Sequence, residues 1–210
     1  MANRTMAERR YPHIKEHIQS KSVLDIGCVE HDPANSSEEY WLHDKIRRDS
    51  RLTVGLDIIE APGLNERGYD IRAADARDFN LDETFDVVVA GELIEHLDNF
   101  DGLFSSIKTH LKDDGILILT TPNGMSVLYS LKRYLLGDFV HQEHTCWFDS
   151  QTIRQLLFRH GFKATEITFI RHGTPSKSPL KFIQWLAELA LPDEIGAQTM
   201  VVVAEKRNQH

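Results

Sequence analysis

Residues 23–32 read VLDIGCVEHD. The aliphatic residues around Asp25 make a strand suited to burial on both faces, and Gly27 supplies the turn that ends it. Open α/β sheets begin nucleotide-like sites in this way, because bare backbone lets a ligand approach closely. The following residues break the expected glycine pattern. Cys28, Val29, Glu30 and His31 put side chains where a pyrophosphate needs exposed N–H groups. The stretch therefore reads as a loop for a ligand without phosphate, as a loop that has lost its ligand, or as a buried strand with a tight turn.

Outward from this stretch, strands and helices alternate. Residues 52–58 (LTVGLDI), 85–90 (FDVVVA) and 115–121 (GILILTT) are apolar runs of the kind covered on both faces, and a shorter strand is expected near residues 69–72. Between them, Phe100, Leu103, Phe104, Ile107 and Leu111 form a helical stripe behind an Asp98 cap. A second helix starts at Asp149 or Ser150 and stops at Gly161. Strands separated by helices of this size imply right-handed βαβ units and a parallel sheet. Residues 162–170 and 197–206 read as two more strands with a helix-like segment, SPLKFIQWLAELA, between them. Neither a repeat nor a linker interrupts residues 1–210. One domain is expected, with 1–21 as an N-terminal helical segment and 124–145 and 172–196 as insertions placed to cover a substrate.

Bulk properties narrow the function. A chain of 210 residues can bury a core without disulfides, and 41% hydrophobic with 27% charged residues is an ordinary globular composition. The net charge of −8 argues against a large nucleic-acid footprint. The two cysteines, Cys28 and Cys146, are too far apart for ligand-pair spacing and fit a reducing compartment. No apolar leader or membrane-length run occurs, so the expectation is a cytoplasmic protein without a membrane contact.

Acidic residues fall at the strand ends, where ligands bind in such sheets. Asp57 closes the second strand, Asp75 follows the third in AADARDF, and Glu92 follows the fourth across Gly91. Each alone is as easily a turn residue. Together, VLDIGC, VGLDI, AADARDF, FDVVVAGELIEHL, HLKDDGILILTTPN and the RHGF segment resemble class I S-adenosylmethionine-dependent methyltransferases over residues 22–170. The resemblance implies a Rossmann-like seven-stranded, mostly parallel sheet of order 3-2-1-4-5-7-6, strand 7 antiparallel, with helices on both faces. It implies S-adenosyl-L-methionine as cofactor and S-adenosyl-L-homocysteine as product. Asp25, Gly27 and Cys28 would lie by its methionine end, Asp57 and Ile58 by the ribose, Asp75 and Ala76 by the adenine, and Gly91 and Glu92 beside the donor. The altered glycine loop then argues against a pyrophosphate more than against activity.

GELIEHL puts Glu92, Glu95 and His96 at i, i+3 and i+4, on one face if the segment is helical. VHQEHTCWFDSQTI adds His141, Glu143 and His144. His144, His96 and Glu95 are the candidate catalytic residues, imidazole being suited to proton transfer near neutrality. No resident metal is expected; if one is bound, the set would be Glu92, Glu95, His96 and His144, which resembles the metal site of small-RNA 2′-O-methyltransferases. Residues 124–140 read as a core helix or, on the other reading, a substrate lid. The stripe Phe182, Ile183, Trp185, Leu186 and Leu189 reads as core or as a homodimer contact. The leading expectation is O-methylation of a small hydroxylated metabolite or sugar. The alternatives are a metal-assisted RNA 2′-O-methyltransferase and a donor-binding but inactive partner protein.

Overall fold

The computed structural model describes residues 6–29, 41–137, 140–172, 185 and 190–207. The strands are β1 (Ser22–Ile26), β2 (Leu52–Asp57), β3 (Ile71–Ala73), β4 (Phe85–Gly91), β5 (Leu111–Pro122), β6 (Phe162–Ile170) and β7 (Thr199–Lys206). They form one sheet of order β3-β2-β1-β4-β5-β7-β6. β1 pairs parallel with β2 and β4, whereas β7 runs antiparallel to both β5 and β6. The expected order and the antiparallel strand are both present. Glu30 and His31, with residues 32–40, lie outside the described residues, as does most of the 182–189 stripe.

Alternation along the central strands sorts side chains to two covered faces. Leu24, Ile26, Val88 and Leu117 pack with Leu103, Phe104 and Ile107 of α4 (Phe100–His110) and Ile153 and Leu157 of α6 (Ser150–Arg159). Val23, Val87 and Ile118 pack on the other side with Ile14 and Ile18 of α1 (Met6–Ile18) and Ile46 of α2 (Leu42–Asp49). Among the described residues there are also helices α3 (Pro62–Glu66), α5 (Val127–Leu136) and α7 (Asp193–Gly196). Strand order reverses between β1 and β4, so the crevice opens beyond their carboxyl ends.

Three local expectations are corrected. The cap of α4 is Asn99, whose side chain accepts from the Gly102 amide at 3.2 Å; Asp98 is drawn away to Arg77 at 2.8 Å. GELIEHL is not a helix across its length. Only Ile94–His96 form a short 3₁₀ turn, because Glu92 sits in left-handed backbone at φ 52° and breaks the phase that would align it with Glu95 and His96. The core-helix reading of residues 124–140 also fails. Leu131, Tyr134 and Leu135 of α5 are exposed, and the helix stands at the rim of the crevice, which its Tyr129 lines.

At the amino ends of the central strands, away from the crevice, Asp86 of β4 clips β1 and β5 to its own strand. Its carboxylate accepts from the Ser22 amide and hydroxyl, both at 2.7 Å, and from Lys112 Nζ at 2.6 Å. Burial works to raise its pKa, but the Lys112 and Ser22 hydrogen bonds outweigh it and hold the group well below the usual carboxylate range. A carboxyl depressed in the folded state stabilises it above the unfolded pKa and loses that contribution as pH falls toward the folded value. D86N should lower unfolding free energy by about 2 kcal/mol at neutral pH. Its deficit against the wild type should shrink as pH drops below about 4. Urea melts at both acidities check this, and an equal deficit at both would mean that the charge is not the cause.

Candidate active site

A cavity of about 780 Å³ lies beyond the carboxyl ends of β1, β2 and β4. Every residue expected at a cofactor lines it: Asp25, Gly27, Cys28, Asp57, Ile58, Asp75, Ala76, Gly91 and Glu92. So do the candidate catalytic residues Glu95, His96 and His144.

The β1 end is held from below and from the side. Gly27 turns with φ 72°, and a Cβ there would come 3.3 Å from Leu93. Asp57 anchors the chain as it leaves β1 and β2: one carboxylate oxygen accepts from the Val29 amide at 2.8 Å, the other from the Ile59 amide at 3.0 Å. Trp41 Nε1 donates to the Cys28 carbonyl at 2.6 Å. Beneath the turn, buried Asp25 and His43 are joined at 2.8 Å between Oδ2 and Nδ1. Gly55 of β2 makes room for this layer, since a Cβ there would lie 2.6 Å from Cys28 Sγ and 2.9 Å from His43 Cε1. Burial pushes the Cys28 thiol well up, and the charges of Asp25 and Asp57 push it further, so it stays protonated and is no nucleophile.

Beyond β4, two carboxyls line the cavity, Glu92 partly exposed and Glu95 buried. Glu92 takes its unusual backbone because its amide donates to Thr120, to the carbonyl at 2.8 Å and to Oγ1 at 3.1 Å. Arg10 Nη1 reaches in from α1, 3.0 Å from Thr120 Oγ1 and 3.7 Å from Glu92 Oε1. Burial raises the Glu92 pKa and the Arg10 charge opposes the rise. Glu95 is 1% exposed; Thr121 Oγ1 donates to its Oε2 at 3.0 Å. Burial, then the Glu92 charge, pushes it up to about 8. Tyr129 of α5 is pushed up to about 12 by burial and by both glutamates.

Asp75 stands at the adenine end of the expected site, with its carboxylate already held. Arg77 grips it with the guanidinium, at 2.8 Å from Nη2, and with its backbone amide at 2.9 Å, holding the carboxyl below its usual range. Asp75 thus combines the turn role and the site position, with fewer lone pairs left for an adenine amino group.

At the mouth, His96, His141 and His144 gather with one nitrogen of each within 4.8 Å of the others. Glu92 and Glu95, the carboxylates in the expected metal set, are engaged elsewhere and do not join this group, whereas His141 does. Burial, then the neighbouring His96 and His141, lowers the His144 pKa and favours its neutral form.

Sequence reasoning missed Arg10, His43 and Tyr129. Arg10 carried a signal: it falls on the stripe Ala7, Arg10, Ile14, Ile18, where an arginine on the buried face needs a partner. His43 carried the same signal, on the buried side of α2 with Leu42 and Ile46.

Comparison with known proteins agrees with this architecture. Residues 3–167 match the family described as methyltransferase domain. Over 169 residues the chain is 28% identical to a Mycolicibacterium smegmatis protein named "probable S-adenosylmethionine-dependent methyltransferase", spanning 78% of this chain and 60% of that one. It is 22% identical over 160 residues to the ubiquinone biosynthesis O-methyltransferase of Rickettsia akari, spanning 62% of this chain and 53% of the relative. The chain therefore covers less than two thirds of either relative's length. A crystal structure of a SAM-dependent methyltransferase from Archaeoglobus fulgidus superposes with a TM-score of 0.64 at 19% identity, covering 95% of this chain and 92% of that one, and shares the fold. With sheet order, switch-point cavity and family match in agreement, the chain belongs to the class I S-adenosylmethionine-dependent methyltransferases.

Proposed function

We propose that this protein transfers the methyl group of S-adenosyl-L-methionine to a hydroxyl oxygen of a small molecule. The observation that carries the reading is the charge of the cavity. Asp25, Asp57, Asp75 and Glu92 line it with Glu95, whose raised pKa keeps it largely protonated near neutrality. Its two arginines are matched by Glu92 and Asp75, so Asp25 and Asp57 are the carboxyls that no arginine offsets. Such a lining suits a ligand with a sulfonium, an ammonium and ribose hydroxyls, and repels phosphate. Asp57 accepts from the ribose hydroxyls with the lone pairs that Val29 and Ile59 leave, and the Gly27 turn admits the methionine end. The oxygen preference is supported by the name of the R. akari relative.

In the reaction, an acceptor oxygen lone pair forms the new C–O bond while the S–C bond breaks, its electron pair staying on sulfur to give S-adenosyl-L-homocysteine. Positioning and exclusion of water supply much of the acceleration, the sulfonium being a strong electrophile. The acceptor's proton leaves toward His96 or His144, both of which line the cavity, with the buried Glu95 carboxyl beside them on the same segment as His96. The net charge of −8 weighs against an RNA acceptor.

Calorimetry with S-adenosyl-L-homocysteine should show one site, and D57N should weaken it at least about tenfold, roughly 1.4 kcal/mol. No binding to the wild-type chain overturns the donor reading. Methyl transfer from labelled donor to fractionated metabolites and to RNA then identifies the acceptor class. Replacing His144 with alanine should cut turnover by about a hundredfold or more, the low end for loss of a proton-transfer group. Donor affinity should stay nearly constant, and unchanged turnover at saturating acceptor would remove His144 from the reaction.

A further inference from the structure

We infer that His96, His141 and His144 form a binding site for one divalent transition-metal ion of the zinc class at the mouth of the cavity. The ligands come from two segments held in fixed register. His96 closes the 3₁₀ turn after β4, and His141 and His144 lie in the loop between α5 and α6. That loop is fastened to the backbone of the first segment. The Thr145 amide donates to the Glu95 carbonyl at 2.8 Å, and Thr145 Oγ1 donates to the Leu97 carbonyl at 2.8 Å. The two loop histidines share a turn closed by the His144 amide on the His141 carbonyl at 3.0 Å. The result is a three-imidazole group whose candidate donor atoms all lie within 4.8 Å of one another.

Two further features favour an ion over simple packing. His144 Nδ1 is buried and makes no hydrogen bond among the described residues, an arrangement that costs energy unless something else satisfies the nitrogen. The Glu143 carboxylate stands 3.9 Å from Nδ1 of both His96 and His141, close enough to become a fourth ligand or to orient the rings. Three imidazoles are the ligand set of open zinc sites, in which the remaining position takes water or substrate. Ligation at about 2.1 Å brings the nitrogens to roughly 3.4 Å from one another. The nitrogens must therefore approach by up to about 1.4 Å, and His141, 53% exposed, has room to turn.

All three histidines line the cavity, so an open position on such an ion belongs to the acceptor's space. With an ion bound, an acceptor hydroxyl held there would be more acidic, and the ring nitrogens that hold the ion would no longer be free to take the proton as they do in the metal-free reaction. That last role rests on the methyl-transfer reading; the ion site does not.

The test uses the untagged chain freed of metal by chelator and titrated with cobalt(II), read by visible absorption, then with zinc in competition. One equivalent should bind, and H141A and H144A should each weaken binding at least tenfold while E143Q weakens it less. H141A alters an exposed side chain, and far-UV circular dichroism verifies that the variants remain folded. Absence of a cobalt band and of zinc uptake, or equal binding in the folded H141A and H144A variants, overturns the proposal. S-adenosyl-L-homocysteine calorimetry on the same metal-free protein separates the two ideas. Binding of that product without zinc binding sinks the ion site alone, and zinc binding without product binding sinks the donor reading alone.

Discussion

The site depends first on the Asp57 carboxylate and the two amides it holds. Its oxygens are committed to Val29 and Ile59, so one side chain at the end of β2 sets the course of the chain leaving both β1 and β2. A carboxylate accepting two backbone N–H groups in a buried setting is a strong, directional anchor, and it fixes the two loops relative to each other. Gly27 can then turn in left-handed backbone without strain, and the Cys28 carbonyl meets Trp41. Layered below, Asp25, His43 and the space left at Gly55 support the same turn. After Gly27, the described part of the loop is thus held by side-chain partners at Cys28 and Val29, where the usual pattern has glycine.

Charge organises the other half of the cavity. Burial raises the cost of ionising both Glu92 and Glu95, and the Glu92 charge raises it further for Glu95. Arg10 offsets part of that cost, and it comes from a helix far from the strand it serves. Helix α1 therefore contributes to the electrostatics of the site as well as to the packing of one sheet face.

What could be read in the sequence was what strands and helices impose locally. Strands covered on both faces leave continuous apolar runs, so β1, β2, β4 and the core of β5 were visible, as was the Asp149 cap of α6. The sheet order came from resemblance, because pairing between distant strands leaves no local mark. Two of the failures share one cause. Asn99 replaces Asp98 as a cap because Arg77 competes for the aspartate, and Glu92 leaves the helical phase because Thr120 captures its amide. Both competitors are far along the chain, so spacing alone gave the wrong geometry. His141 was noticed as a residue, but its meeting with His96 is set by Thr145 on a main-chain carbonyl, and nothing in a linear pattern reports that contact.

The Thr145 latch has a consequence for how this protein can change. It grips the carbonyls of residues 95 and 97, which every amino acid carries, and asks nothing of the side chains there. The mouth can therefore exchange its histidines and glutamates while its backbone stays in place. Specificity for an acceptor can drift at this rim without unsettling the donor pocket, since the hydrogen bonds that shape the two regions share no residue.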